Sequence, residues 1–453
     1  MSDLFSLLHL GSAGIAAQNS GISVASNNVA NANTEGYSRQ RVDLEALGRS
    51  PLVGGVRSGM PDRLSDSLLG GRIRLAGSNL SMSQAYASAL GDVESRMTVG
   101  SSMSEDLAAM FATFGQAAAS PTDPIARESV VASMQKLVEG IRHRAAELAA
   151  MQEEFNTAIR EKTAKAAELA ERLASSNVAV AKTNDPAMKD QRDLIAKQLS
   201  ELVGGQARVD ADGQMRFVLD GGAVLVDGKH AAKLTAGTDP TTGDATISVV
   251  DGNNKRDVTK DISGGSLGAV RSVRDGALKQ AQTDLDQFAF DLASTMNGKH
   301  RTFAGLDGVS GRDVFAQPTA VAGAAATLEL DPDVEADPSR LALGAIGAGP
   351  GSNAGALALF QLADQKVATG GKTLGDSAVE LVTRVGRAAS NANADVTRDQ
   401  LVVDHLAGLQ DSLSGVDLQE EMTNLSRFEH ASSAMTKFVS TIDSLLGDLI
   451  DRL

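Results

Sequence analysis

The strongest constraint on this chain lies at its two ends. From Val416 to Leu453, apolar residues recur at steps of three and four: Leu418, Met422, Leu425, Phe428, Met435, Val439, Ile442, Leu446, Leu449 and Leu453. That spacing gathers them in one stripe on a helix and marks a coiled-coil seam, which a lone helix cannot bury. Its one irregularity falls between Phe428 and Met435, where Ser432 fills the seam. Asp417 followed by Glu420 has the D-x-x-E pattern of a capping box that opens such a helix. At the other end Leu4, Leu8, Gly11, Ile15, Gln18, Ile22, Ala25 and Val29 step in the same way. The two termini are therefore expected to pair with each other or with copies of themselves.

The N-terminal stretch from Leu4 to Thr34 contains no Asp, Glu, Lys or Arg. It does not read as a secretory signal or a membrane span, because Asp3 stands where a basic start belongs and Ser, Asn, Gln and Gly interrupt every apolar run. An uncharged helix rich in small residues suits close packing among identical copies, or an ordinary buried core. The formal net charge of -15 leaves no basic stripe to neutralise phosphates, so nucleic acid is not an expected partner. With no cysteine there are no disulfides, thiolate metal sites or cysteine nucleophiles. Aromatic residues make up only 3% of the chain and Trp is absent, which favours long helices over sandwiches or ligand pockets.

Between the ends, 48–61 is rich in Gly, Pro and Ser and reads as an extended linker. Apolar residues from Leu64 to Phe114 keep helical spacing, but Gly70, Gly71, Gly77, Gly91 and Gly100 suggest more than one helix. Asp123 and Pro124 form a helix start, and Met134, Val138, Ile141, Ala145, Leu148, Phe155, Ile159, Ala166, Leu169 and Leu173 then hold one apolar face; Gln152 and Lys162 fall out of that pattern. A break at Asn184 to Pro186 leads into a further helix. From Gln206 the period changes to two, with turns at Asp212-Gly213, Asp227-Gly228 and Asp251-Gly252. Helix returns after Ser263, a loop-rich stretch follows Arg301, and helix resumes from Ala356 with a break at Gly370-Gly371.

The predicted architecture is mainly α: paired terminal coiled-coil helices plus a long-helix bundle carrying a small antiparallel β region. Its segments are a terminal coiled-coil segment 1–47, the linker 48–61, a bundle of 62–205 and 263–413, the β region 206–262, the loop-rich 302–355 and a terminal helix 414–453.

Chemistry finds little purchase. The GGKT run at Gly370 to Thr373 lacks the first Gly of a P-loop, since Lys366 stands there, and it follows a helical pattern, so a helix-helix turn is expected. Asp331, Asp333, Glu335 and Asp337 alternate as calcium ligands can, but without the Gly and closing Glu of an EF-hand loop; a solvated turn is expected. His9, His143, His230, His300, His405 and His430 never fall at ligand spacing. No catalytic, cofactor-binding or metal residues are assigned, and no cofactor is expected.

The segment Ser26 to Gln40, SNNVANANTEGYSRQ, ends the first helix with Asn and Gly and then places Tyr37, Arg39 and Gln40. With Asn27, Asn28, Asn31, Thr34 and Gly36 it resembles the N-terminal signature of the bacterial flagellar axial proteins, the rod, hook and hook-associated subunits. TDPIARESVV at Thr122, DQRDLIAKQLSELVGG at Asp190, SGGSLGAV at Ser263, MNGKH at Met296, ADPSRLAL at Ala336 and SGVDLQEEMTNLSRFEHA at Ser414 are similar to the hook-associated members. The resemblance implies a structural, non-enzymatic subunit joining hook to filament, exported uncleaved through the flagellar type III route and lying outside the cell in the flagellum. The implied partners are hook protein, a second junction protein on the filament side, copies of itself in a ring and a flagellar export chaperone at the C-terminal helix, with no membrane insertion. Many members carry a large outer insertion after the MNGKH-like segment; here only 302–355 occupies that place, as a remnant. The assembly interface expected from the heptads is Leu4, Leu8, Ile15, Ile22, Val29, Leu418, Met422, Leu425, Phe428, Met435, Val439, Ile442, Leu446 and Leu449. A secreted coiled-coil adhesin or effector, or another rod or hook subunit, is the competing expectation.

Overall fold

The element on which the body is built begins where Asp123 caps Pro124. In the structure, a computed structural model describing residues 2–47, 55–98, 100 and 102–451, the Asp123 carboxylate accepts the Ile125 amide and opens helix α4, Pro124–Thr183. Its 60 residues span about 90 Å at 1.5 Å per residue. Asn184, in left-handed backbone at φ 50°, ends it, and Asp185 and Pro186 at once start α5, Pro186–Val203. The apolar face read from the spacing is the buried face, from Met134 to Leu173. The two residues out of pattern are explained by polar partners: Gln152 donates to Asp244 at 2.8 Å and Lys162 to the Ser266 hydroxyl at 3.1 Å.

Before α4, the chain forms α2 (Ser67–Thr98) and α3 (Met103–Ala119). Gly100, at φ 86°, sits between them, but Gly70, Gly71, Gly77 and Gly91 run inside α2 without breaking it. Each glycine costs a helix about 1 kcal/mol against alanine, and packing along its neighbours outweighs this. After the β region come α6 (Gly265–Val273), a π-turn at Arg274–Leu278 and α7 (Lys279–His300). Short α8 (Ala324–Thr327), α9 (Pro332–Ala336) and α10 (Ala354–Phe360) precede α11, Leu374–Ser414. Helix α2 lies along α11, tied by Ser83 to Asp399 at 2.5 Å, and α3 and α5 lie on α4.

The early strands are β1 (Gln40–Arg41), β2 (Leu44–Leu47), β3 (Gly55–Ser58) and β4 (Asp62–Arg63). Then β5 (Gln206–Val209), β6 (Met215–Val218), β7 (Val224–Asp227) and β8 (His230–Ala231) make an antiparallel sheet in chain order. A second antiparallel sheet holds β10 (Ala245–Asp251) between β9 (Lys233–Thr238) and β11 (Asn254–Asp257). Both are pinned to α4 by single buried amides. Asn177 donates to the carbonyls of Met215 and Gly228 and accepts the Met215 amide, while Asn156 accepts the Ala245 amide.

The segment 302–355 is irregular, but it is not an appendage. Val314, Phe315, Leu328, Leu330, Val334, Leu341 and Leu343 are buried in the body's core. The MNGKH motif holds it there. Fully buried Asn297 accepts the amides of Val314 and Phe315 and donates to the Phe315 carbonyl, and His300 accepts the Ala342 amide at Nε2, 2.8 Å away. Its Nδ1 lies 2.8 Å from the Arg312 carbonyl. The ring is therefore neutral with its proton on Nδ1, and burial pulls its pKa down.

The terminal helices α1 (Ser2–Asn31) and α12 (Leu418–Ile450) pair with each other in a two-helix tail. The stretch read as a linker at 48–61 departs from that expectation over its described part. Gly55–Ser58 pairs antiparallel with Leu44–Leu47 and lies against α1; residues 48–54 are outside the described residues. Among the described residues no helix is long and apolar enough to cross a membrane.

Candidate assembly site: the tail and its joint with the body

The tail helices run antiparallel, and their contacts advance by seven residues on each: Asn28 meets Glu421, Gly21 meets Phe428 and Gly14 meets Met435. Glycines on α1 make the holes that large α12 side chains fill. A Cβ on Gly21 would stand 2.8 Å from the Phe428 ring, and one on Gly14 would collide with Met435. Gly11 faces Val439 in the same way. The buried α1 stripe is thus Gly11, Gly14, Ala17, Gly21, Val24, Ala25 and Asn28, turned about one residue from the expected seam. Leu4, Leu8, Ile15, Ile22 and Val29 flank it, each only partly covered. The correction has a simple cause: the bulky side chains of α12 need room between the helices, and the small residues of α1 leave it.

On α12, Ile442 and Leu446 are buried, and Leu425, Phe428, Met435 and Val439 are partly covered. Leu418, Met422 and Leu449 depart from the expected seam within the chain, being 49%, 55% and 39% exposed. Phe5, Leu445 and Ile450 are exposed too. Leu453 lies outside the described residues.

The joint is built by the signature segment. Gly36, at φ 78°, turns the chain after α1 so that Tyr37 to Gln40 fold back on the helix end. Asn28, almost fully buried, uses its whole amide: Nδ2 donates to the Gln40 carbonyl at 2.9 Å and to Glu421 at 3.1 Å, and Oδ1 accepts from the Tyr37 hydroxyl at 2.8 Å and the Gln40 amide at 2.9 Å. Arg39 grips α12, its Nε donating to Glu421 at 2.8 Å and its Nη2 to Glu420 at 2.6 Å. Asp417 caps α12 by accepting the Gln419 and Glu420 amides, whereas the expected reciprocal Glu420 arm of the capping box is given to Arg39.

The same segment fastens to the body. Ser38 donates through its amide and hydroxyl to Asp190 of α5, at 3.0 and 2.8 Å, and Arg63 joins Asp190 and Asp193 at 2.9 and 2.7 Å. The Arg39 amide donates to the carbonyl of Ser414, the last residue of α11. Burial, then the Asp190 and Glu421 carboxylates, pushes the Tyr37 hydroxyl up to about 12. Of the remaining signature residues, Thr34 donates to Asn31, and Asn31 to the Asn27 carbonyl. Asn27, Asn31, Thr34 and Gly36 line a groove of about 430 Å³ between the end of α1 and the start of α5. Spacing could not single out Ser38, Arg63, Asp190 or Glu421, because nothing local tells a polar residue that its partner is more than a hundred positions away.

The other candidates resolve into structure. In the GGKT turn, Gly370 and Gly371 take positive φ, Lys372 pairs with Glu380, and Thr373 forms a capping box with Asp376 that opens α11. The four acidic residues have protein partners: Asp331 and Asp337 cap α9 and the turn after it, Asp333 pairs with Arg340, and Glu335 accepts from Gln135. His9, His143, His230, His405 and His430 are exposed.

Comparison with known proteins agrees with this geometry. The family described as the flagellar hook-associated protein FlgK helical domain matches residues 90–315, and that of the flagella basal body rod protein matches 7–37, the first tail helix and its signature. Flagellar hook-associated protein 1 of Bacillus subtilis is 26% identical, with 100% of this chain and 99% of that one covered. Its counterpart in Salmonella typhimurium is 24% identical with 98% of this chain and 99% of that one covered. The Salmonella alignment runs over 553 positions, so that relative carries stretches that these 453 residues lack. The fold is similar to the structure of the flagellar hook junction protein FlgK from Burkholderia pseudomallei, at a TM-score of 0.69 and 15% identity, covering 76% of this chain and 100% of that one. The chain belongs to the flagellar hook-associated protein 1 family.

Proposed function

We propose that this chain is a structural subunit of the bacterial flagellum that joins hook to filament, and that its tail is what assembles. The observation that carries this reading is the two-helix tail: it closes its own small-residue seam yet leaves Leu418, Met422, Leu445, Leu449 and Ile450 exposed. An isolated exposed leucine is ordinary, but exposed large apolar residues grouped at both ends of α12, Leu418 with Met422 and Leu445 with Leu449 and Ile450, are surfaces awaiting neighbours. Copies set side by side in a ring cover it, with hook protein on one side and a second junction protein on the other. The Burkholderia protein that shares this fold is a flagellar hook junction protein, which supports the same placement. The rod-type match at the first helix fits a tail common to axial subunits, and the helical-domain match distinguishes this chain from rod subunits.

Export follows the uncleaved type III route in this reading. An export chaperone covers α12 before assembly, using Met435, Val439, Ile442 and Leu446 as helix-in-groove anchors. The test is complementation. In a strain lacking its own junction protein, the full chain restores filaments, and chains lacking residues 2–31 or 418–453 leave bare hooks. Restoration by either truncated chain overturns the role of the tail. Chaperone binding that survives loss of 418–453 overturns the chaperone assignment.

A further inference from the structure

The groove beside the joint and the outer face of α12 are complementary, and they share no residue. The groove presents Glu35, Asp185 and Asp190 among amides and the apolar Leu194, with no basic residue in its lining. The Glu35 side chain is 76% exposed, and its one cationic partner among the described residues is Lys197 at 3.3 Å. On α12, a shallow depression holds Met422, Ser426, Arg427 and His430 with no acid in its lining. Arg427 has no carboxylate partner among the described residues, only the ring of Phe428 at 5.9 Å.

The two surfaces also lie at one level of the molecule. Asn28 contacts Glu421 and Gly21 contacts Phe428, so α12 residues 419–430 run beside the last turns of α1, where the groove opens. Two different patches at one height suit a head-to-tail ring, because a heterologous contact repeated by rotation makes a ring when the rotation closes.

We propose that the Met422–Arg427 face of one copy seats in the joint groove of the next, with Arg427 against Glu35 and Met422 over the apolar floor. The proposal rests on the junction reading and names the contact between copies that the reading requires.

The absence of cysteine makes a direct test possible. Full-length Asn31→Cys and Ser426→Cys chains are expressed together in a strain lacking its own junction protein, and isolated hook-filament structures are oxidised. The expected product is a disulfide dimer containing one of each chain, absent when either variant is expressed alone. In parallel, Arg427→Glu lowers the number of filamented cells at least tenfold while the purified monomer melts as before, and adding Glu35→Lys restores filaments. If the unmodified chain restores filaments but no mixed dimer forms and Arg427→Glu assembles normally, the docking is overturned and the junction role stands. If the unmodified chain restores nothing, the junction role falls and the docking with it.

Discussion

At the scale of single residues, the molecule repeatedly uses one buried side chain to pin a loop. Asn28, Asn177 and Asn297 each spend donors and acceptor on backbone groups that lack a helix or sheet partner, and the primary amide suits this because it offers two donors and two lone pairs in one plane. His300 does the same with one donor and one acceptor, which gives it a pH signature. Its folded pKa is depressed below the ordinary 6.5, so its contribution is present above about 6.5 and is lost as pH falls through the lower folded value. Urea melts from pH 7.5 to 5 should show a loss of stability that is smaller in His300→Gln; identical pH profiles for the two proteins would place the loss elsewhere. Tyr37 acts in the opposite sense. Its pKa is raised from 10.0 to about 12, so the hydroxyl's support of the joint is complete below about 10 and is lost as pH rises through about 12. In a Tyr86→Phe background, absorbance titration should give a tyrosinate midpoint near 12, and a midpoint near 10 would remove the phenol from the network. Arg39→Ala strands Glu421, whose side chain is only 4% exposed; breaking a buried pair in this way costs about 3–5 kcal/mol, read as faster amide exchange in the first turns of α12.

At the scale of elements, α12 and α4 were readable because their faces are written in large apolar residues at helical spacing and their starts in Asp-x capping and Pro. The matching face of α1 was not readable. Its contacts are Gly14, Gly21 and Asn28, residues that carry no hydropathy, and only the size of Met435 and Phe428 across the seam gives their seven-residue spacing a meaning. The glycines in α2 misled in the other direction, since intrinsic propensity is a weak prior beside a helix-length contact. The packing of 302–355 into the core rests on Asn297 and His300, whose partners lie ahead in irregular chain that no periodicity marks. The seam itself gives a prediction. Gly21→Val puts branched carbon where the Phe428 ring stands and overpacks the tail, at a cost of about 1–3 kcal/mol. Exchange protection in α12 should fall, and Phe428→Ala in the same chain should recover part of it. Equal protection in Gly21→Val and the unmodified chain would show that the helices do not meet at this point.

At the scale of the whole molecule, tail and body are energetically separate. The continuous buried core runs through the body from α2 to α11 and takes no residue from α1 or α12, so the tail depends on its own seam and on the joint. Ordering a residue's backbone costs roughly 1–2 kcal/mol, which a two-helix contact offsets narrowly; the tail of a free monomer should therefore be paired but exchange its amides faster than the body, and gain further protection on assembly. Protection of both ends as strong as the body's at low concentration would contradict this. Leu446→Asp separates folding from assembly most sharply. Leu446 is 8% exposed, in the seam and not on the outer face, so the change forfeits roughly 1.5–3 kcal/mol of leucine burial and sets an unpaired charge against α1. The body holds none of that seam, and the buried stretch of Ile141, Leu148, Phe155 and Leu169 should melt at nearly its unmodified temperature. The tail, already marginal, should open, and with it goes the platform that carries the exposed Leu445, Leu449 and Ile450. Because every copy carries the same defect, assembly should fail as a whole: cells build hooks and release unpolymerised filament subunits into the medium. Leu445→Asp is the companion, since Leu445 is 50% exposed; it should leave the tail paired in the monomer and weaken only contacts with neighbours. A Leu446→Asp chain that carries full filaments, or whose body melts far below the unmodified protein, would mean that tail and body are not independent in the way their separate cores require.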